Sequence, residues 1–230
     1  MISINLTGVL SLNIKLVVFD VDGTLTTHNS IWWRLHELFN TEAEGKIYYD
    51  QYFAGEIDYN TWADLDAGLW KGKSLQVVID AVEHTEIVDG AYETVAELKR
   101  NGKFVAILSG GLDILAESIG KRVGIDYILT NELLHKDGVL TGEVVSHVGW
   151  GEKVSAIEQI CTHFGVTLAE TAFVGDGRND ISVLKVVGLP IAFNPEHKEV
   201  EDVAKVTIKN GSLNKILGYV MGGNKNNMKT

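Results

Sequence analysis

Two carboxylates, two residues apart, follow a short apolar run near the start of the chain. Residues 16–19 are apolar and lead directly into Asp20-Val21-Asp22-Gly23. An uninterrupted apolar run that ends in a turn signal is typical of a strand buried on both faces, as in a parallel sheet. Carboxylates at the carboxyl end of such a strand lie where open α/β sheets bind ligands. Asp-Gly is also an ordinary turn dipeptide, so this stretch alone leaves a structural turn and a binding site equally open.

Three further polar clusters occur later, each at the end of an apolar run or the start of a predicted helix. They are Ser109-Gly110-Gly111 after residues 104–108, Lys153 after Gly149 and Gly151, and Gly175-Asp176-Gly177-Arg178-Asn179-Asp180 after residues 172–174. Taken singly, the serine fits a helix cap and the lysine fits an exposed surface. The last cluster begins like a dinucleotide-binding fingerprint but lacks the third glycine.

Together and in this order, the four clusters resemble the motifs of the haloacid dehalogenase superfamily of phosphoryl-transfer enzymes. Within that superfamily they resemble phosphoserine phosphatases, and the resemblance spans roughly residues 14–217. Four motifs in order are very specific for the superfamily and much less specific for the substrate. The resemblance implies a phosphatase that acts through an aspartyl-phosphate intermediate on a small phosphorylated metabolite.

The resemblance also assigns roles to individual side chains. Asp20 would be the nucleophile, a recognised role of carboxylates in phosphoryl transfer. Asp22 would be the general acid for the leaving alkoxide and then the base for water, a contribution typically worth about 10²–10⁴-fold. Lys153 would place a positive charge on the phosphate and on Asp20. The groups expected to bind phosphate oxygens are Ser109 and Gly110, at a helix N-terminus, and Asn179.

A magnesium ion is the cofactor that the resemblance implies, because a carboxylate and a phosphate must approach each other. Its ligands would be the Asp20 carboxylate, the backbone carbonyl of Asp22 and the Asp176 carboxylate. Asp180 would support the water shell of the metal or Lys153.

The resemblance breaks at the positions that bind the amino acid in phosphoserine phosphatases. A glutamate that faces the substrate ammonium is replaced by Asn29, and an arginine that holds the substrate carboxylate is replaced by Asp66. Loss of a two-point arginine contact should weaken carboxylate binding. We therefore expect a different small phosphomonoester, such as an amino alcohol or sugar phosphate. Two alternatives stay open: Asp66 lies on a solvated helix face, or Arg34 holds the carboxylate in a true phosphoserine phosphatase.

Strands that alternate with helices predict the α/β class, with a doubly wound parallel sheet and a small β-hairpin. The predicted core domain comprises residues 1–29 and 81–221, residues 30–80 form an inserted helical cap, and residues 222–230 form a disordered tail. An edge strand is also predicted within residues 1–13. The predicted core strands are 14–20, 103–108, 126–130, 171–174, 189–193 and 204–208, the hairpin is 134–145, and the last helices are 152–164, 179–187 and 212–220.

The predicted cap is rich in aromatic residues. It holds four of the five tryptophans, namely Trp32, Trp33, Trp62 and Trp70. Most such side chains fill the core of their own lobe, and the remainder would line a site beneath it. We expect the cap to close over the site and to exclude water before phosphoryl transfer.

Composition excludes several other classes of function. The 230 residues carry a net charge of −11 without a basic cluster, which argues against nucleic acid and anionic membrane surfaces as partners. No apolar run reaches 18 residues, and the single cysteine, Cys161, has the spacing of a helix core position. Because no signal peptide is evident either, we expect a cytoplasmic enzyme. The sequence does not indicate an oligomeric state.

Two competing functions share the predicted scaffold. A phosphotransferase or phosphomutase would pass the phosphoryl group to an organic acceptor, and the sequence does not separate it from a hydrolase. A non-enzymatic binding protein on the same fold is less favoured, because Asp20 and Asp22 are both intact.

Overall fold

The fold is described from a computed structural model that covers residues 13–28 and 30–222. Asn29, nearly all of the predicted edge strand in residues 1–13 and the tail from residue 223 lie outside the described residues. Within the described ranges, no helix is long and apolar enough to cross a bilayer.

A seven-stranded sheet forms the centre of the molecule, in the order β4-β3-β2-β1-β5-β6-β7. All neighbouring strands are parallel except β3 and β4, which form an antiparallel hairpin. The predicted strand 126–130 and the first strand of the predicted hairpin 134–145 are one continuous strand, because β3 runs through both. The α/β class and the parallel sheet are therefore confirmed. The strands are β1 (Leu16–Phe19), β2 (Phe104–Leu112), β3 (Tyr127–Lys136), β4 (Val139–Val145), β5 (Thr171–Gly175), β6 (Leu189–Phe193) and β7 (Val206–Ile208).

Ten α-helices occur in the described residues, and the first four occupy the inserted segment after β1. They are α1 (Ile31–Phe39), α2 (Glu42–Phe53), α3 (Tyr59–Leu69), α4 (Leu75–Glu83), α5 (Ala91–Arg100), α6 (Asp113–Val123), α7 (Lys153–Phe164), α8 (Ile181–Leu184), α9 (Lys198–Val203) and α10 (Leu217–Val220). The division into a core domain and a separate cap domain stays a prediction.

Strand β1 is buried on both faces, as its apolar run predicts. Val17 and Phe19 belong to one apolar cluster, and Leu16 and Val18 belong to another on the opposite face. Cys161 is buried in the second cluster, where it is a free thiol. Because β1 is covered on both faces, its side chains are apolar and its polar neighbours begin where the strand ends, at Asp20.

The position of β1 brings the motif residues to one edge of the sheet. Phe19 is in register with Ile107 of β2 on one side and with Val174 of β5 on the other. Residues just beyond these three positions therefore meet at the carboxyl edge. This is also where the strand order departs from the chain order, the usual ligand position in open α/β sheets.

The predicted helix N-terminus at Ser109 is wrong. Strand β2 continues to Leu112, and α6 begins only at Asp113. The pairing of β2 with β3 shifts register between Leu108 and Leu112, an irregularity that the two intervening glycines permit. Ser109 and Gly110 therefore lie on an irregular strand end.

Two predicted helices are shorter than expected because part of each is a 3₁₀ turn. In place of helix 179–187, a turn at Arg178–Asp180 precedes α8. In place of helix 212–220, a turn at Leu213–Ile216 precedes α10. The first turn is stabilised locally, because the Asp180 carboxylate accepts the backbone N–H groups of Asp176 and Gly177.

Backbone hydrogen bonds join the inserted helices to the hairpin. The connection between α3 and α4 pairs with the hairpin through Gly72 N–H to Leu140 O (2.8 Å) and Leu75 N–H to Gly138 O (3.0 Å). In return, Leu140 N–H donates to Lys73 O at 2.9 Å. These contacts fix the inserted segment over the carboxyl edge of the sheet.

Two glycines in the inserted helices should respond oppositely to alanine. A Cβ at Gly45 would lie 2.6 Å from the buried His36 ring, whereas a Cβ at Gly68 would meet nothing within 4 Å. Gly68→Ala should raise the free energy of unfolding by roughly 0.5–1 kcal/mol. Gly45→Ala should lower it, because overpacking costs about 1–3 kcal/mol. Urea denaturation of both variants checks this, and a stabilised Gly45→Ala protein would contradict the packing described.

Candidate active site

A fully buried lysine lies at the centre of the polar groups. Lys153 is the first residue of α7, and its Nζ donates to Asp20 Oδ1 at 2.8 Å and to Asp180 Oδ1 at 2.6 Å. Burial acts to lower the pKa of Lys153, but the two carboxylates outweigh it and raise this pKa above its usual value. The ammonium group is therefore a permanent charge. Both carboxylates are buried with it, so the contact is a buried ion-pair network.

Three carboxylates converge around this lysine. Asp20, Asp176 and Asp180 each offer an oxygen, and these oxygens all lie within 4.8 Å of one another. Asp180 is fully engaged, because its other oxygen accepts two backbone N–H groups at 3.1 Å. Asp176 Oδ1 accepts the Thr24 hydroxyl at 2.7 Å. A set of oxygen donors of this kind suits a hard divalent cation such as Mg²⁺.

Burial raises the pKa of the carboxyl groups of Asp20, Asp22 and Asp176. The pKa of Asp20 rises to about 6, although Lys153 acts to lower it. The pKa of Asp22 rises to about 8 because of burial and then the charge of Asp20. Burial, followed by the charges of Asp20 and Asp180, holds the pKa of Asp176 well above its usual range. The positive charge of Lys153 alone therefore does not offset the negative charge of all these carboxylates. A bound cation would offset the remainder.

Glycines allow these carboxylates to approach. Gly23 has φ +76°, and a Cβ there would collide with the Asp176 carboxylate. A Cβ at Gly175 would collide with the Asp180 carboxylate. Gly23 and Gly175 therefore leave room for the acidic side chains. This explains why a glycine follows β1 and why a glycine ends β5.

The irregular end of β2 presents polar groups to the same edge. Ser109 is buried, and its Oγ accepts the Gly111 N–H at 3.0 Å. The Gly110 carbonyl accepts hydrogen bonds from Trp32 Nε1 and Asn131 Nδ2, each at 3.0 Å. Trp32 belongs to α1, so the inserted helices contact the serine-glycine segment directly.

A cavity of about 430 Å³ lies between the carboxyl edge of the sheet and the inserted helices. The predicted site residues that line it are Asp20, Asp22, Ser109, Gly110, Asp176 and Asn179 from the sheet side and Asp66 from α3. Lys153 and Asp180 contact this group from within the buried interior. Asn29 lies outside the described residues, so its predicted role stays a prediction.

Asp66 lies on a buried face of α3. Its side chain is 4% exposed, and its Oδ1 lies 3.2 Å from His36 Nε2 of α1. The alternative of a solvated helix face is therefore wrong, because α1 covers that side of α3. Arg34 donates to the Ala81 carbonyl at 2.8 Å and is not among the described residues that line the cavity. In this structure, Arg34 therefore does not reach the cavity.

Sequence reasoning missed two residues that organise the site. Asn131 follows a predicted strand, so the rule that ligands lie at carboxyl ends of strands would have found it. It is fully buried, and its Nδ2 also donates to the Tyr59 hydroxyl at 3.0 Å. His36 carries no such signal, since its contact with Asp66 depends on how α1 packs against α3.

Comparisons with known proteins agree with this geometry. A family profile described as haloacid dehalogenase-like hydrolase matches residues 17–185. The chain is 36% identical to a phosphoserine phosphatase of Methanocaldococcus jannaschii over 209 residues, which is 90% of this chain and 97% of that protein. It is 32% identical to phosphoserine phosphatase SerB2 of Mycobacterium tuberculosis over 193 residues, which is 83% of this chain and 47% of that protein.

A solved structure shows the same similarity in three dimensions. A substrate-bound phosphoserine phosphatase superposes with a TM-score of 0.77 at 34% identity, and the match covers 90% of this chain and 98% of that one.

The raised carboxyl pKa values predict a pH-dependent stability in EDTA. Asp20 and Asp22 bind protons more tightly in the folded state, from an ordinary value of 3.8 to about 6 and about 8. The free energy of unfolding should therefore fall as pH rises from about 4 to 8, with each group contributing at most about 1.4 kcal/mol per pH unit. Asp22→Asn should flatten the slope above pH 6. Urea denaturation at a series of pH values measures this, and parallel profiles for variant and wild type would contradict it.

Proposed function

The chain belongs to the haloacid dehalogenase-like hydrolase family and is a phosphatase, and we propose that it hydrolyses a small phosphomonoester through a magnesium-dependent aspartyl-phosphate mechanism. The observation that carries this proposal is the Asp20 carboxylate. It lines the cavity, it is hydrogen-bonded to the buried Lys153, and it lies beside Asp176.

Asp20 acts as the nucleophile in the first step. A carboxylate oxygen attacks phosphorus, so an acyl-phosphate bond forms and the ester P–O bond breaks with its electrons on the alkoxide. Lys153 holds Asp20 Oδ1 at 2.8 Å, which fixes the carboxylate and offsets its repulsion from the phosphate. In the second step, water attacks phosphorus and the carboxylate of Asp20 is released.

Asp22 moves the proton in both steps. Burial and the charge of Asp20 raise the pKa of Asp22 to about 8, so it is protonated at neutral pH and can donate to the leaving alkoxide. It then accepts the proton of the attacking water. Its Oδ1 is buried without a hydrogen-bond partner among the described residues, which leaves it available to a ligand.

The residues present fit a magnesium ion. Asp20 and Asp176 would hold it with their carboxylates, and Asp22 would contribute its backbone carbonyl. When bound, such an ion supplies positive charge against the transferring phosphoryl group. Asp180 is committed to Lys153 and to two backbone N–H groups, so it supports the arrangement. Ser109, Gly110 and Asn179 would bind the phosphate oxygens.

The specificity differs from that of an amino-acid phosphatase in this proposal. The inserted segment, which we assign as the cap, presents Asp66 to the cavity and contributes no lysine or arginine to the described lining. A substrate carboxylate would therefore meet a negative charge where two-point arginine recognition would be needed. Asn29, at the other altered position, would likewise provide no charge for an ammonium group.

Replacement of the nucleophile tests the mechanism. Asp20→Asn should release no phosphate above background, and wild-type turnover should stop in EDTA and return with Mg²⁺. Acid quench of wild-type enzyme with labelled substrate should trap one phosphoryl group on Asp20, located by peptide mass spectrometry. Circular dichroism controls for the fold of the variant. Turnover by Asp20→Asn at the wild-type rate would overturn the assignment, and transfer of label to added alcohols would favour a phosphotransferase.

A matched pair of substrates tests the altered specificity. Phosphoethanolamine is L-phosphoserine without its carboxylate, so the ratio of their kcat/KM values isolates the effect of that group. We expect phosphoethanolamine to be favoured by roughly tenfold or more, the effect of one unpaired charge contact of about 1.4 kcal/mol. A preference for L-phosphoserine would mean that a residue other than Arg34 or Asp66 holds the carboxylate.

A further inference from the structure

We propose that the cap side of the cavity binds an alkylammonium group, so that the substrate is the phosphate ester of an amino alcohol. The juxtaposition that carries this inference is a buried carboxylate, Asp66, within a wall of aromatic rings. The inference rests on the proposed phosphatase function and adds the chemistry of the leaving alcohol.

Asp66 faces the cavity without a lysine or arginine against it among the described residues. Its neighbours are His36, whose Nε2 lies 3.2 Å from Asp66 Oδ1, and the indole N–H of Trp62. A buried carboxylate without a permanent cation beside it is costly. A ligand that carries positive charge would relieve that cost.

His36 lies beside Asp66 and also contacts Thr41. His36 Nδ1 lies 2.9 Å from Thr41 Oγ1, and the same oxygen accepts Trp70 Nε1 at 3.3 Å. The Thr41 hydroxyl has two lone pairs, so it can accept from Trp70 and still bond to Nδ1 in either direction. A histidine is not a permanent cation as lysine and arginine are. His36 therefore gives the Asp66 carboxylate no fixed counter-charge.

Aromatic rings line the same cavity as this carboxylate. The rings that line the cavity are Trp32, Trp33, Tyr49, Phe53, Tyr59, Trp62 and Trp150. Trp62 is at their centre, with ring centroids 5.8 Å from Tyr49 and 6.0 Å from both Phe53 and Tyr59. Aromatic faces attract ammonium groups through the quadrupole of the ring, and rings grouped in this way form the usual site for alkylated ammonium ions.

Charge distinguishes an ammonium group from a sugar in this site. A sugar hydroxyl could donate to Asp66, but it would leave the buried negative charge without a counter-ion, which is unfavourable. The described lining from the cap contains no lysine or arginine that could serve instead. Arg178 lines the cavity from the sheet side, where it lies 3.2 Å from Glu199. A cationic leaving group therefore complements the cap side better than a neutral or anionic one.

Charge and shape can be separated with isosteric substrates. Phosphocholine and 3,3-dimethylbutyl phosphate have the same shape and differ in the ammonium charge, and phosphoethanolamine and propyl phosphate form a second pair. In wild-type enzyme with Mg²⁺, the cationic member of at least one pair should have a kcat/KM about 10- to 100-fold higher. If the ratio for the phosphoethanolamine pair is the larger of the two, Asp66 makes the main contact. If the ratio for the phosphocholine pair is larger, the aromatic rings make it.

Two variants test the residues. Asp66→Asn should lower the ratio of kcat/KM for the cationic substrate to kcat/KM for its neutral isostere towards one, whether the absolute rates rise or fall. Thermal unfolding checks that this variant is folded. Phe53→Leu, at a half-exposed position, should lower the phosphocholine ratio about 2- to 10-fold without disturbing the core. Ratios near one in wild type, a ratio unchanged by Asp66→Asn, or a sugar phosphate as the best substrate would overturn the inference. Failure of the proposed function looks different, because no phosphate would be released even from the neutral esters.

Discussion

The buried contact of Lys153 with Asp20 and Asp180 is the interaction on which the site depends. A lysine without solvent exposure is tolerated only when its charge is paired, and here two carboxylates pair it at 2.8 and 2.6 Å. The contact joins the start of α7 to the end of β1 and to the turn that follows β5. It therefore sets the orientation of the proposed nucleophile and ties three separate parts of the chain to one point.

The same contact leaves an excess of negative charge at the edge of the sheet. Asp22 and Asp176 lie close to Asp20, and burial raises the pKa of both carboxyl groups. The arrangement is costly for folding, and it is useful for phosphoryl transfer because it offers a protonated acid and a set of oxygens for a divalent ion. The apolar sheet beneath and the inserted helices above hold these groups in place. Asp66 of α3 lines the same cavity from the side of the inserted helices, where the proposed substrate would place its leaving alcohol.

Much of the site was predictable because its residues follow strands. Asp20 and Asp176 could be placed together from the parallel order of β1 and β5, which the alternation of strands and helices indicates. The irregular end of β2 was not predictable, since a serine followed by two glycines fits a helix cap equally well. The burial of Asp66 was not predictable either, because it depends on the packing of α1 against α3 and no local pattern records that contact.

Calorimetric titration with Mg²⁺ measures whether the carboxylates around Asp20 bind a divalent ion. Titrations near neutral pH in two buffers of different ionisation enthalpy report both metal binding and proton release. We expect one binding event that releases protons, because the ion displaces protons from carboxyl groups of raised pKa, and we expect binding at least about tenfold weaker in Asp176→Asn. Absence of binding to the wild type, or equal affinity in Asp176→Asn, would show that these carboxylates are not a metal site.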